Sequence, residues 1–314
     1  MSTPKRIVRA LMIIIVLAFT IVYIYVAHVG YDVLSLPAGG LPRTTPSGEY
    51  QEVTFPSRGQ DYKVYAFFMH GQSDGPAIIN VHGYHGTRHA DYILDRAEGL
   101  RELGYNVLSI DLSDNGGDTI GNGRISFGYS ERWDVLGAYD YLLAQGYAPD
   151  RIGIVAESMG AASSLLAAAQ EPRLRAVWAD SAYARTDTQI TESAAKTNFP
   201  TFIVPGGLIW GWLVSGDRLW EAAPIAAAST LAANKQAVYI IHCDQDHTVL
   251  YHHGLELAAA YKAAGVDVTF WGIPNHDHAE GIVYHRAEYF QRLDTFFKVH
   301  LAESSVRIRD SEPF

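Results

Sequence analysis

From residue 77 to residue 300 the chain alternates short apolar runs with segments of helical spacing. No other feature restricts its fold as strongly. The runs are AIINVH (77–82), YNVLSID (105–111), RIGIVA (151–156), RAVWAD (175–180), AVYIIHC (237–243) and VDVTFWGI (266–273). AIINVH and YNVLSID have the continuous apolar character of strands buried on both faces, and the other runs read as further strands. Between them, helical spacing predicts helices over 91–103 (Ile93, Ala97, Leu100), 130–145 (Trp133, Leu136, Tyr139, Leu143), 159–170, 250–264 and 283–300. Strand and helix in regular turn predict an α/β fold with a mainly parallel sheet and helices on both faces. Two further runs, YQEVTF (50–55) and YKVYAFFM (62–69), flank SRGQD and predict a hairpin ahead of it. In such sheets ligands bind beyond the carboxyl ends of the strands, so those loops should hold the chemistry.

The N-terminus follows a different rule. No side chain from Ala10 to Tyr31 is charged apart from what His28 can take up, and LMIIIVLAFTIVYIYVAHV is almost wholly apolar. At helical rise these residues cover roughly 30 Å, the hydrocarbon thickness of a bilayer. The run exceeds a signal-peptide core, and no small-x-small cleavage site follows it closely. A transmembrane helix over 10–31 is therefore expected. Lys5, Arg6 and Arg9 precede it and Asp32 follows. By the positive-inside rule, residues 1–9 are cytoplasmic and the rest lies on the extracytoplasmic side. Residues 32–48, dense in Pro, Gly, Ser and Thr, read as a linker. A chain beginning near Ser47 should then be soluble. The globular domain is expected over 49–302, with a tail at 303–314.

Beyond Arg9 the chain carries 21 basic against 34 acidic side chains. That balance argues against a nucleic-acid partner, which requires a basic face to displace phosphate counterions. With Cys243 the only cysteine, an intramolecular disulfide and an all-cysteine metal site are excluded. No P-loop or dinucleotide-binding glycine fingerprint is present, and no cofactor or metal is called for.

The strand ends carry the specific signals. AESMG (156–160) lies between a predicted strand and a predicted helix. A nucleophile elbow needs small residues two positions either side of its serine, because the turn is strained and the backbones approach closely. Ala156 and Gly160 meet that need around Ser158. Serine also caps helices at random, but the strand–turn–helix setting favours the elbow. HGYHG (82–86) follows the first buried strand and has the glycines of a loop that aims backbone N–H groups at a developing oxyanion. The expected donors are the amides of Tyr84 and Met159. His82 and His85 are alternatively metal ligands or loop-packing residues. HCDQDHTV (242–249) and PNHDHAEG (274–281) end the last two strands. A serine hydroxyl needs a histidine to take its proton, and that histidine needs a carboxylate to orient it. The order Ser, Asp, His suits this sheet topology.

On these residues the chain resembles the α/β-hydrolase superfamily over roughly 50–300, and most nearly its membrane-anchored, serine-aminopeptidase-like esterase branch. IVAESMGAASSLL and FGYSERWDV (127–135) are similar to segments of that branch. The resemblance maps the catalytic acid onto Asp246, with Val249 three residues on and Cys243 in place of a glycine. It maps the base onto His278, with Asp277 in place of another glycine. Asp244 and His276 are the rival acid and base. His285 reads as structural, and His242, His247, His252 and His253 as surface or loop residues. The resemblance implies a serine hydrolase acting on a small-molecule ester or amide, with carboxylic-ester cleavage ahead of peptidase or amidase activity. A metal-dependent hydrolase and a non-catalytic binding protein are the remaining alternatives. The segment 183–235 holds Phe199, Phe202, Trp210, Trp212 and Trp220, and reads as a small cap or a pair of connecting helices that also meets the bilayer.

Overall fold

The computed structural model describes residues 3–301. A long helix, α1 (Thr3–Ser35), precedes the hairpin β1 (Gln51–Pro56) and β2 (Lys63–Met69). The alternating part follows as β3 (Ala77–Val81), α2 (Asp91–Glu102), β4 (Asn106–Ile110), α3 (Glu131–Ala144), β5 (Ile152–Glu157), α4 (Ser158–Gln170) and β6 (Ala176–Asp180). Next come α5 (Thr186–Lys196), α6 (Val204–Ser215) and α7 (Ala228–Ala233), joined by short 3₁₀ turns. The chain closes with β7 (Ala237–Cys243), α8 (His252–Ala264), β8 (Asp267–Ile273), α9 (Gly281–Tyr284) and α10 (Arg286–His300).

The eight strands form one sheet in the order β1-β2-β4-β3-β5-β6-β7-β8. β1 and β2 run antiparallel to their neighbours, and the strands from β4 to β8 are mutually parallel. Consecutive strand residues point to opposite faces, so one run of apolar side chains feeds two cores. Ile79, Ile154, Val177 and Ile240 pack with Leu136, Leu165 and Leu257 of α3, α4 and α8. Their neighbours Ile78, Val155, Trp178 and Ile241 pack with Leu100 of α2 and Phe297 of α10. This two-sided burial accounts for the continuous apolar runs of β3 to β7, whereas β8, at the edge of the sheet, is only partly buried. The expected closing helix is broken at His285, whose backbone leaves the helical region (φ −123°, ψ 34°).

α1 outlasts the expected span at both ends, and residues 32–35, expected in the linker, are its last turn. The helix is long and apolar enough to cross a membrane. Its C-terminal part is also docked on the domain. Ala27 and Tyr31 are buried, and an added Cβ at Gly206 or Gly211 of α6 would lie 2.5 Å from Tyr23 or 2.6 Å from Tyr31. Asp32 pairs with Arg124 at 2.6 Å. The residues that follow are pinned as well. His89 Nδ1 lies 2.8 Å from the Thr44 carbonyl, Pro46 is buried, and the Ser47 amide and hydroxyl both donate to Glu98 (2.9 and 2.7 Å).

These contacts change the expectation for a chain starting at Ser47. Its removal of α1 uncovers the glycine face of α6 beside the already exposed Ile209 and Leu213. Size-exclusion chromatography without detergent should therefore find such a chain aggregated. A monodisperse monomer would show that α1 is only a tether.

Candidate active site

Every strand end named from the sequence meets at the carboxyl edge of the sheet. β5 delivers Ser158 directly into α4, with Ser158 at φ +52°. For a residue with a Cβ this left-handed conformation is strained, and it persists only where the surroundings hold it. The surroundings here are tight. A Cβ on Gly160 would sit 2.1 Å from the His82 carbonyl oxygen, so only glycine fits where α4 meets the β3 loop. Ala156, two positions before the serine, is fully buried and in register with Val81 and Ala179. A Cβ on Gly83 would lie 3.1 Å from Ser158 Cβ, so the loop carrying Tyr84 is pressed against the serine. Met159 is the second residue of α4, and the first amides of a helix have no intrahelical acceptor.

Asp246 is buried in the loop after β7. One carboxylate oxygen accepts the amides of Thr248 and Val249, each at 2.8 Å. The other lies 2.7 Å from His278 Nδ1. A carboxylate can only accept, so Nδ1 carries the proton and Nε2 keeps a free lone pair. Burial opposes the charge on Asp246, but the hydrogen bonds and positive character of His242 and His278 outweigh it and hold its pKa well below the ordinary range. Burial likewise works against a charged His278. The hydrogen bond and charge of Asp246, reinforced by Glu157 and Asp180, prevail and raise its pKa. The rivals stand elsewhere. Asp244 is exposed and accepts the Asn275 amide at 2.6 Å. His276 stacks on Tyr284, with centroids 4.6 Å apart.

Asp277, the departure from glycine, accepts the amides of His247 (2.8 Å) and His278 (2.7 Å), and so ties the loop after β8 to the loop after β7. Cys243, the other departure, is buried, and burial pushes its thiol up to about 12.

The structure corrects the reading of two histidines. His242 and His253 are fully buried rather than superficial. His242 Nε2 lies 2.8 Å from the Val249 carbonyl and 3.3 Å from Asp246, so it braces the loop that carries Asp246. His253 Nδ1 accepts the Ala184 amide (3.2 Å) and its Nε2 donates to Glu192 (3.0 Å). That leaves no lone pair on His253 for a metal in the cluster Glu192, His252 and His253. His82 is also committed: Nε2 accepts the Leu112 amide at 2.9 Å, and Nδ1 lies 2.7 Å from the Gly83 carbonyl. His85 stacks on Tyr84 and reaches the Leu36 carbonyl at 3.1 Å. In the second cluster, His89, Asp111 and Asp118, the guanidinium of Arg88 already pairs with both carboxylates.

A buried network beneath the elbow had gone unread. Arg96 donates to Asn80 (2.7 Å), the Val81 carbonyl (2.8 Å) and Glu157 (3.2 Å). Glu157 stands beside Asp180 in the β5–β6 register. Burial first, then the charge of Glu157, pushes Asp180 up to about 6. The signal was available: Arg96 falls on the Ile93–Ala97–Leu100 face of α2, where a charge requires a buried partner.

α5 closes one side of this edge. Gln189 donates to the Thr248 carbonyl at 2.9 Å, and Lys196 reaches the same carbonyl at 3.2 Å.

Comparison with known proteins agrees with this architecture. An esterase of Pyrococcus furiosus superposes with a TM-score of 0.68 at 20% identity, over 86% of this chain and 99% of its own. An acylaminoacyl peptidase of Pyrococcus horikoshii gives 0.64 at 18% identity, over 82% of this chain and 42% of its own. Est1E of Butyrivibrio proteoclasticus gives 0.55 at 18% identity, over 79% and 98%. At these identities the likeness establishes the α/β-hydrolase fold. Among curated proteins no match is found. The model of the prolyl oligopeptidase family matches residues 96–304, which takes in Ser158, Asp246 and His278, and by that match the chain belongs to this family of hydrolases.

Proposed function

We propose that the protein is a serine hydrolase that cleaves carboxylic esters through Ser158, His278 and Asp246. The observation that carries this reading is the division of Asp246 between two backbone amides and His278 Nδ1. It commits the imidazole to the tautomer whose Nε2 can take a proton from Ser158. The serine oxygen attacks the ester carbonyl as His278 accepts its proton, and the amides of Tyr84 and Met159 hold the oxyanion. Collapse expels the alcohol, protonated by His278, and leaves an acyl-enzyme. Water, activated by the same imidazole, releases the acid and restores the serine.

Two observations favour esters. The esterase of Pyrococcus furiosus is covered over 99% of its length, whereas only 42% of the acylaminoacyl peptidase is covered. An apolar cavity among the described residues is also lined almost entirely by hydrocarbon. The family match supports a second reading, amide cleavage on the same machinery. We further place residues 49–302 as the catalytic unit with a cap at 183–235. α1 is its single membrane span, with the N-terminus cytoplasmic and the domain extracytoplasmic.

A p-nitrophenyl ester and the p-nitroanilide of the same acyl group decide between the readings. The ester is expected to have the higher kcat/KM by about 100-fold or more, a difference of roughly 3 kcal/mol in barrier. EDTA should change neither rate. Equal turnover of the anilide would assign the protein to amide hydrolysis, and loss of activity with EDTA would require a metal.

A further inference from the structure

An apolar cavity of about 210 Å³ lies between α1, α5 and α6, away from the serine but walled by residues that lead to it. Gly30 and Leu34 line it from α1, Ala194 from α5, Gly207 and Leu208 from α6, and Phe127 from the loop before α3. Its hydroxyl-bearing lining residues are Tyr31, Ser193 and Thr197. Small residues create the space: at Gly207 an added Cβ would meet nothing nearer than the Ala27 carbonyl, at 3.6 Å. Engineered apolar cavities of roughly 150 Å³ stay dry and take apolar ligands, and this one is larger. Phe127 stacks on Tyr84 with centroids 5.3 Å apart. The Tyr84 hydroxyl donates to the Leu34 carbonyl at 2.8 Å, and the preceding Gly83 is pressed against Ser158. The cavity wall and the oxyanion loop are thus one continuous piece of structure.

The cavity also sits at membrane depth. Counted from Ala10, about 20 helical residues fill the hydrocarbon core, which brings the outer boundary near Val29. Gly206 of α6 packs on Tyr23, and Gly207 on Ala27, both inside that boundary. No charged residue occurs from 197 to 216. Around α6, Phe202, Ile209 and Leu213 are 70%, 53% and 64% exposed, continuous with the exposed apolar face of α1. An apolar surface of this kind, extending a transmembrane helix sideways, is matched by lipid and not by water.

We infer that α6 lies in the outer leaflet beside α1, and that the cavity between them receives the alkyl chain of a membrane-resident carboxylic ester entering from the bilayer. This rests on the ester-hydrolase reading and on α1 as a membrane span. The cavity holds no charged side chain, so it selects for hydrocarbon, and a polar headgroup must stay outside it.

The test uses the full chain in phosphatidylcholine vesicles. A dialkyl ether lipid with a mid-chain diazirine, which no hydrolase can cleave, is photolysed and its crosslinks are mapped. Crosslinks are expected within 190–208 and 27–34, and Gly207→Leu and Ala194→Phe should each deplete them. In parallel, those variants should lower the ratio of kcat/KM for p-nitrophenyl decanoate over acetate by about 10-fold or more, as expected for a filled alkyl pocket. Crosslinks confined to the lipid face of α1 (13–22), or an unchanged ratio in both variants, would overturn the inference. If a variant fails to fold, the crosslink map of the unaltered protein still decides. If Ser158→Ala retains turnover, the hydrolase reading fails by itself, and the crosslinks report on the cavity independently.

Discussion

Replacing Asp246 by asparagine is expected to slow ester turnover by on the order of 10⁴-fold, while Asp244→Asn should leave it nearly unchanged. The difference lies in what each carboxylate touches. Asp246 is buried against His278 Nδ1, and an amide there can donate as well as accept, so it no longer enforces the productive tautomer. Asp244 is exposed and holds only a turn amide. The pH profile of kcat/KM gives a second readout with a definite sign. His278 must be neutral to act as a base, and its pKa is raised in the folded protein. The acidic limb should therefore fall above the ordinary imidazole value. In Asp246→Asn the negative charge is gone while the burial remains, so the limb should move to lower pH. A greater loss in Asp244→Asn, or a limb that moves upward in Asp246→Asn, would give the acid role to the wrong residue.

The second large effect concerns Ser158 and His278, the proposed nucleophile and base. Ser158→Ala and His278→Ala should each reduce kcat by roughly 10⁶-fold, and the double variant should be no slower than either one. Without the base the hydroxyl stays protonated, and without the hydroxyl the base has nothing to activate. Additive losses would mean that the two residues act in separate steps. Neither replacement removes much packing. Ser158 sits at a strained φ that alanine shares, and the His278 side chain keeps 22% of its surface exposed. Circular dichroism should accordingly find both variants folded.

How much of this was legible beforehand depends on the range of the interaction concerned. The sheet was readable because the parallel strands β3 to β7 are buried on both faces, so Ile78–Ile79 or Ile240–Ile241 declare themselves without knowledge of their neighbours. The elbow was readable because its demands are local: a serine at positive φ and a glycine where a Cβ would strike a carbonyl. Contacts made across the chain were not. The hydrogen bond of His253 with Glu192 and the salt bridge of Arg96 with Glu157 each join residues about sixty positions apart, whose facing is set by the whole fold. The docking of α1 on α6 was hidden for another reason. Both segments are apolar and glycine-bearing, and helix pairs that associate through small residues look, in sequence, like two independent greasy helices. Residues 36–48 likewise have the composition of a free linker, and only the hydrogen bonds of Thr44 and Ser47 reveal that they are held.

The central claim is that Ser158 is a nucleophile activated by His278, and labelling of the full-length protein by a fluorophosphonate tests it most directly. An unactivated serine is inert to such a probe at neutral pH, so rapid modification reports a coupled base. The account predicts one adduct per chain, on the peptide containing Ser158, lost in both Ser158→Ala and His278→Ala and insensitive to EDTA. An adduct on another serine, or undiminished labelling in Ser158→Ala, would contradict it.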